Sequence, residues 1–596
     1  MLWWLVAVPL LAGAGLALAG RRADRAAPAA GVLVAVAVLA LAITAALTRP
    51  AVDAPLVAGV RAGLAVDGLS ALMVVTVAGA TLAVLAHAAG EAELRTARFV
   101  GCMLLFAGAM LVTVTATTLA ALLMAWEVMG AMSWALIAHR WREPESVRAA
   151  HTAFLTTRLA DAGLYVAAGA ALAGGVGSLA LAELPVAREP WLHVVAAGLV
   201  VAALGKSAQL PFSFWLSQAM RGPSPVSALL HSATMVAAGA YLLLRLAPLL
   251  ETAGWAAPLV AWVGAATALL MGLVAVAQSD LKQLLAASTC AQIGFMVLAA
   301  GVGGVAGGAL QLVAHAATKS LLFLGAGAWL VLLGTKQLGE LRGAARRYPL
   351  VGVTFTVGAA SLAGLPPLSL WVTKDLVLAA ALDRSTALYV VGLVAALVSA
   401  IYSAKAVWWV WQPPPSDERR VRRIGTDERA VRRNGVLPLG VLALLAALLG
   451  IPLLTLASAP WELVLSGALA VVAVAVTWRV AGRIGAPPVL ASWLGIERLS
   501  HAVVVRPVLG LARLLARFDD GLDSSVTAVA RGTVAVAQAL DRRGEGAVDG
   551  AVRGIADGAR ALGRLARRPQ TGQVHQYYAQ AAAALAVLAL VVIVMG

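Results

Sequence analysis

Apolar stretches of about twenty residues alternate along the chain with short polar connections, and a helix of that length crosses the ~30 Å hydrocarbon core of a bilayer. They fall near residues 1–20, 30–48, 67–88, 99–118, 119–138, 151–175, 193–219, 224–248, 255–277, 283–302, 306–331, 350–380, 387–411, 435–457, 461–480 and 576–595, which predicts sixteen spans. The first is expected to be a retained span and not a cleaved leader, because Arg21, Arg22 and Arg25 follow the apolar run instead of preceding it. Between the last two spans the period changes. From about 485 to 570, apolar or small residues recur every three or four positions (Leu511, Leu515, Phe518, Leu522, Val526, Val529), while Arg513, Arg517, Asp519, Asp520 and Arg531 occupy the other faces. That pattern predicts an amphipathic helix. Continuous from about 507 to 568, it would reach ~90 Å along the membrane surface, which exceeds what lipid adhesion needs and points to bracing a neighbouring subunit. Glycines at 521, 532, 544, 546, 550, 554 and 558 predict kinks.

Composition sharpens this picture. Of 596 residues, 61% are hydrophobic and 12% charged, with mean hydropathy +0.88. Soluble domains average roughly 45–50% apolar and 25% charged, so a soluble enzyme is excluded. Cys102 and Cys290, the only cysteines, can supply neither four thiolates to an iron–sulfur cluster nor a disulfide framework. No HExxH signature appears, and no metal site is expected. Gly205-Lys206-Ser207 is no phosphate loop, since position 200 is Val and the site lies in a span. The net charge of +16 is a topology signal and not a nucleic-acid footprint. Loops after odd-numbered spans hold Arg95, Arg98, Arg140, Arg142, Arg148, Arg221, Lys336, Arg346, Arg347 and the arginine-rich stretch 419–433, whereas those after even-numbered spans hold little more than Arg49, Arg61, Arg188 and Arg384. The positive-inside rule then puts the N-terminus outside and the lateral helix on the cytoplasmic face of the cell's inner membrane.

An internal repeat is also visible. The seventh expected span breaks at Leu210-Pro211-Phe212-Ser213-Phe214-Trp215 and the twelfth at Pro366-Pro367-Leu368-Ser369-Leu370-Trp371, matching at one offset of 156 residues. The breaks lie five spans apart, an odd offset, so the copies run in opposite directions, as in ion-coupled transporters built on broken helices. The expected fold is an all-α polytopic membrane protein: N-terminal helices (1–98), two inverted five-helix repeats (99–248 and 255–411), additional helices (412–484), the lateral amphipathic helix (485–570) and a terminal anchor (571–596).

A charge at the bilayer centre costs about 2.5–3.5 kcal/mol on insertion scales, so each needs a partner or a task. Glu127 lies in the fifth expected span, Arg158 and Asp161 in the sixth, Lys206 beside the first break and His231 in the eighth. The second half places Lys282 near a membrane edge, His315 and Lys319 on one helix face, Lys374 and Asp375 after the second break, and Lys405 in the thirteenth span. A lysine exchanges protons near neutral pH only where burial and a movable carboxylate adjust it, and Glu127 with Lys206 is the natural candidate pair. Plainer readings exist for several groups: Arg158 with Asp161 as an i, i+3 structural pair, Lys282 with Asp280 as an interface anchor, and His231 as a hydrogen-bonded core residue.

The stretch Gly205-Lys206-Ser207-Ala208-Gln209-Leu210-Pro211, continuing through Gly222-Pro223-Ser224-Pro225-Val226-Ser227-Ala228-Leu229-Leu230-His231-Ser232-Ala233-Thr234, resembles the signature of the antiporter-like membrane subunits. These occur in proton-pumping NADH:quinone oxidoreductase (respiratory complex I) and in Mrp-type cation/proton antiporters. Asp280-Leu281-Lys282, His315, Lys319-Ser320-Leu321-Leu322-Phe323 and Lys374-Asp375 extend the likeness, and the span count with a lateral helix is similar to the subunit L (subunit 5) branch. The resemblance implies that Glu127 and Lys206 form the first half-channel's pair with Asp161 nearby, that His231, His315 and Lys319 relay, and that Lys374 and Asp375 form the exit. It implies other antiporter-like and membrane subunits as partners, clamped by the lateral helix, with NADH, FMN, iron–sulfur clusters and quinone on partner subunits and none on this chain. The chain departs from the pattern at Ser217-Gln218, Gln311 and Val372-Thr373. The function expected is proton translocation driven by redox chemistry elsewhere in the complex. A cation/proton antiporter subunit and a membrane subunit of a proton-driven inorganic-carbon uptake complex are the alternatives.

Overall fold

The computed structural model describes residues 1–57, 60–414, 428–456, 460–541, 549–568, 570 and 572–595. Helices dominate, because a backbone in lipid must satisfy its own hydrogen bonds. Fourteen helices among the described residues are long and apolar enough to cross a membrane. Thirteen coincide with expected spans, and the fourteenth is the run Trp493–Leu540. The three remaining expected spans are also helical. Pro144–Ala173 carries Glu145, Arg148, Arg158 and Asp161, which lower its hydropathy. The other two are interrupted: Trp191–Lys206 stops and Phe214–Ala219 resumes, while Pro349–Ala363 stops and Ser369–Arg384 resumes. Both repeat breaks are thus real interruptions in the helix.

The chain divides into two compact units, Met1–Glu497 and Arg498–Gly596. In the first, burial separates central from peripheral helices. The most apolar windows of Ser224–Arg245 and Leu281–Gly301 are fully buried and that of Val305–Leu333 is 83% buried, against 28% for Leu2–Ala23 and Ala27–Thr48. Polar side chains on the three central helices therefore face protein. Small residues allow the close approach. A Cβ on Gly163 would meet the carbonyl oxygen of Gly198 at 2.3 Å, and a Cβ on Gly264 would meet that of Gly294 at 2.6 Å.

One feature of this unit has no counterpart among the predicted spans. The connection before the third span forms an antiparallel hairpin, Ala51–Val57 with Val60–Ala65. It rests on the Thr117-Thr118 corner, where Thr117 N donates to Gly63 O at 2.9 Å and Thr118 Oγ1 to Arg61 O at 2.9 Å. The residues 419–427 of the arginine-rich stretch lie outside the described residues.

In the second unit the amphipathic segment is not one continuous helix. The unit holds Arg506–Asp541, Asp549–Arg567 and Val574–Met595. Arg567 Nη2 lies 3.5 Å from Asp523 Oδ1. In one continuous helix those residues would stand ~66 Å apart, so the two amphipathic helices lie antiparallel. The longer one spans ~54 Å and not ~90 Å. It runs through Gly521 and Gly532 without interruption, while Gly544 and Gly546 lie outside the described residues.

Candidate functional site

Lys206 ends the Trp191–Lys206 helix at the first break and is wholly buried. Gly205 brings that helix onto its neighbour: a Cβ there would come 2.1 Å from the Ala160 Cβ of the Pro144–Ala173 helix. Asp161 consequently sits beside Lys206, and Lys206 Nζ donates to Asp161 Oδ2 at 2.9 Å. The other carboxylate oxygen accepts from Trp126 Nε1 at 2.7 Å, and the ammonium lies 5.1 Å from the centre of the Trp126 ring. A buried ion pair persists when further hydrogen bonds complete it, and the indole supplies one.

The expected Glu127–Lys206 pair is replaced by this one. Glu127 follows Trp126 and is turned ~100° around its helix. It pairs with Arg158 and accepts from Tyr165 Oη at 2.8 Å, on a face where the Glu127 and Arg158 side chains are 29% and 42% exposed. Arg158 is accordingly not the partner of Asp161.

His231 occupies a π-helical turn, Leu229–Ala233, within the central span. Its ring centre is 6.0 Å from that of Trp215, and neither ring nitrogen has a hydrogen-bond partner among the described residues. His315 is likewise buried with both nitrogens unpartnered among the described residues. One turn further, Lys319 Nζ donates to Leu285 O at 3.0 Å and to the Ser288 hydroxyl. The Ser232 and Ser320 hydroxyls, 2.9 Å apart, connect the His231 and Lys319 helices.

At the second break, Lys374 Nζ donates to Leu362 O and Ser399 Oγ, both at 2.7 Å. Asp375 lines a small cavity together with Ser466 of the Pro460–Val480 helix. A side-chain network flanks Lys374: the Thr373 hydroxyl donates to Gln311 Oε1, Gln311 Nε2 to Gln292 Oε1 at 3.1 Å, and Gln292 Nε2 to Tyr402 Oη at 2.9 Å. Lys405 Nζ donates to Val276 O at 2.6 Å and Gln278 O at 3.0 Å, tying down the end of the Ala256–Ala277 helix. Lys282 is not paired with Asp280 as its plainer reading expects. Asp280 caps its own helix and pairs with Lys336 at 3.0 Å, while Lys282 Nζ turns inward to Gly222 O at 2.8 Å.

The structure thus groups Lys206 with Asp161, links the His231 and Lys319 helices, and sets Lys374 beside Asp375, while Glu127 stands apart. Trp126, Ser399 and Tyr402 join the site without being charged, and their signal in the sequence is a hydroxyl or indole within an otherwise apolar span.

A family model described as NADH:quinone oxidoreductase/Mrp antiporter, TM, matches residues 116–399. NADH-quinone oxidoreductase subunit L of Mycobacterium tuberculosis is 34% identical over 438 residues, covering 68% of each chain. Among solved structures, the Mrp complex from Dietzia sp. contains a chain with TM-score 0.67 and 27% identity, the match covering 100% of this chain and 63% of that one. Respiratory complex I from Thermus thermophilus with bound NADH contains one with TM-score 0.66 and 26% identity, covering 79% and 100%. The chain spans between about half and two thirds of the length of the curated relatives it matches.

Proposed function

The chain belongs to the family of NADH:quinone oxidoreductase and Mrp antiporter membrane subunits, and from that premise we propose that it is a proton-translocating subunit, of the subunit L (subunit 5) kind, in a complex I-like NADH:quinone oxidoreductase. The observation that carries this reading is the set of ionisable groups buried in the most enclosed helices: the Lys206–Asp161 pair, Lys319 and Lys374, with two imidazoles free of hydrogen bonds among the described residues. Groups buried at such cost in a span fit proton transfer better than packing.

In this reading Lys206 holds or releases a proton as the carboxylate of Asp161 approaches or withdraws. His231, His315 and Lys319 carry it across the centre, and Lys374 with Asp375 delivers it to the far side. Glu127 and Arg158, on the partly exposed face, belong to the contact with a neighbouring subunit. NADH, flavin, iron–sulfur and quinone chemistry takes place on partner subunits and supplies the driving force. The chain sits in the inner membrane with its N-terminus outside. The 99–248 and 255–411 segments act as the two half-channels, and the antiparallel amphipathic helices on the cytoplasmic face clamp adjacent antiporter-like subunits.

The test is NADH-driven proton uptake by the intact complex in liposomes. Lys206→Ala and Lys374→Ala are each expected to lower protons moved per NADH oxidised. Unchanged pumping in both would overturn the assignment, and cation-dependent exchange without NADH would put the chain in an antiporter.

A further inference from the structure

Beside the file lies a cavity of about 670 Å³, opening among the connections after the third, fifth, seventh and eleventh expected spans. Most of its rim charges are paired. Arg140 pairs with Glu93 at 2.6 Å, Arg221 with Glu145 at 2.6 Å, and Lys336 with Asp280 at 3.0 Å. Glu143, outside these pairs, accepts from Ser146 Oγ at 3.0 Å. Two further charged groups line the cavity. Lys282, 2% exposed, donates to the Gly222 carbonyl. Opposite stands Glu91, its side chain 14% exposed, with Oε1 4.0 Å from His87 Nε2 and accepting no hydrogen bond among the described residues.

From the same cavity a polar stripe leads inward. Ser224 lines the cavity, and Ser224, Ser227 and His231, spaced three and four residues apart, share one face of a wholly buried span. We propose that this cavity is the proton-uptake vestibule of the chain and that Glu91, outside the Lys206-to-Lys374 file, is its titrating carboxylate, delivering protons toward His231 along the Ser224–Ser227 face. The inference rests on the proton-translocating function proposed above. In the step, a Glu91 oxygen forms an O–H bond to a proton taken from bulk-connected water. That bond then breaks as the proton passes to water beside Lys282 and Ser224, regenerating the carboxylate.

Burial and the neighbouring charge of Glu93 push the Glu91 carboxyl up to about 7, against the opposing pull of Lys282 and Arg140. The group thus changes charge within the working range of pH.

The test uses the intact complex in liposomes, with NADH-driven uptake followed from about pH 6 to pH 8.5 and carboxyl C=O stretching followed by infrared difference spectroscopy. Expected are a several-fold slower uptake in Glu91→Gln with loss of the pH dependence centred near 7, recovery in Glu91→Asp, and a carboxyl band titrating near pH 7 that Glu91→Gln abolishes. Lys206→Ala is run alongside. If Lys206→Ala abolishes pumping while Glu91→Gln keeps the wild-type rate and pH profile, the vestibule falls and the proposed function stands. If Lys206→Ala pumps normally, the function itself falls. Should Glu91→Gln fail to assemble, Glu91→Asp serves instead: a displaced midpoint supports the assignment, and an unmoved midpoint with an unmoved band overturns it.

Discussion

Replacing Asp161 with Asn tests the proposed Lys206–Asp161 pair apart from the neighbouring Glu127–Arg158 pair. Lys206 is fully buried and the Asp161 side chain is 3% exposed, so the substitution removes the counter-charge of an ammonium shielded from water. Breaking such a pair from one side costs about 3–5 kcal/mol, because it leaves a buried ammonium without its counter-charge. Glu127→Gln touches a half-exposed pair with Arg158, worth about 1 kcal/mol or less, and leaves the Lys206–Asp161 bond in place. The assay is NADH-driven acidification in proteoliposomes beside uncoupled NADH:quinone turnover. Asp161→Asn is expected to cut coupled pumping by about tenfold or more, and Glu127→Gln by no more than about fivefold. The double variant Asp161→Asn, Lys206→Met, which leaves no buried charge, should regain assembly without regaining pumping, so instability is told apart from lost proton transfer. Pumping abolished by Glu127→Gln but kept in Asp161→Asn would refute the reasoning and restore Glu127 as the partner of Lys206.

Two further outcomes follow from other parts of the chain. With cysteines at 523 and 567 in place of Asp523 and Arg567, oxidation should cross-link the two positions within one chain; failure to cross-link, as for a continuous rod holding them ~66 Å apart, would count against the antiparallel arrangement. Asp67 reports on pH: partial burial pushes its carboxyl up, but the hydrogen bond and charge of Arg245 with the Ser70 backbone outweigh that and hold it at about 2. Because the folded value lies below the unfolded one, its stabilisation is present above about pH 4 and lost as pH falls through about 2. Discounted for a half-exposed side chain, it is about 1 kcal/mol. Thermal unfolding should separate wild type from Asp67→Asn by that amount at neutral pH and converge near pH 2, whereas a constant gap would sink the assignment.

Span length was legible in the sequence because the bilayer imposes it, and the two breaks were legible because proline cannot continue a helix. Orientation was not. Leu119–Ile137 is apolar on nearly every side, so periodicity does not say which residue faces inward. Met124 and Val128 beside Glu127 are exposed, whereas Leu122, Met129 and Ser133, on the side of Trp126, are buried. Choosing between two carboxylates for Lys206 required that rotation. The contact of Gly205 with Ala160 fixes it on the facing helices, and such small residues were the available signal. The hairpin at 51–65 is not legible locally because Ala, Asp, Pro and Gly dilute its valines and it depends on the distant Thr117-Thr118 corner. In the amphipathic segment a local pattern reports which side of a helix is apolar, and only a contact such as Arg567 with Asp523 reports that the chain has doubled back.

The departures at Gln311 and Thr373, separate in sequence, are one contact in space, since the Thr373 hydroxyl donates to Gln311 Oε1 and the Gln311 amide passes the bond to Gln292 and so to Tyr402. A carboxamide has fixed donors and acceptors, unlike imidazole, which gains and loses a proton near neutral pH. This branch can hold Lys374 and its surroundings in register but cannot itself take up and release protons. Within the proposed path, transfer between the centre and the second break then falls to His315, Lys319 and Lys374, and the amide network acts as the brace that keeps them aligned.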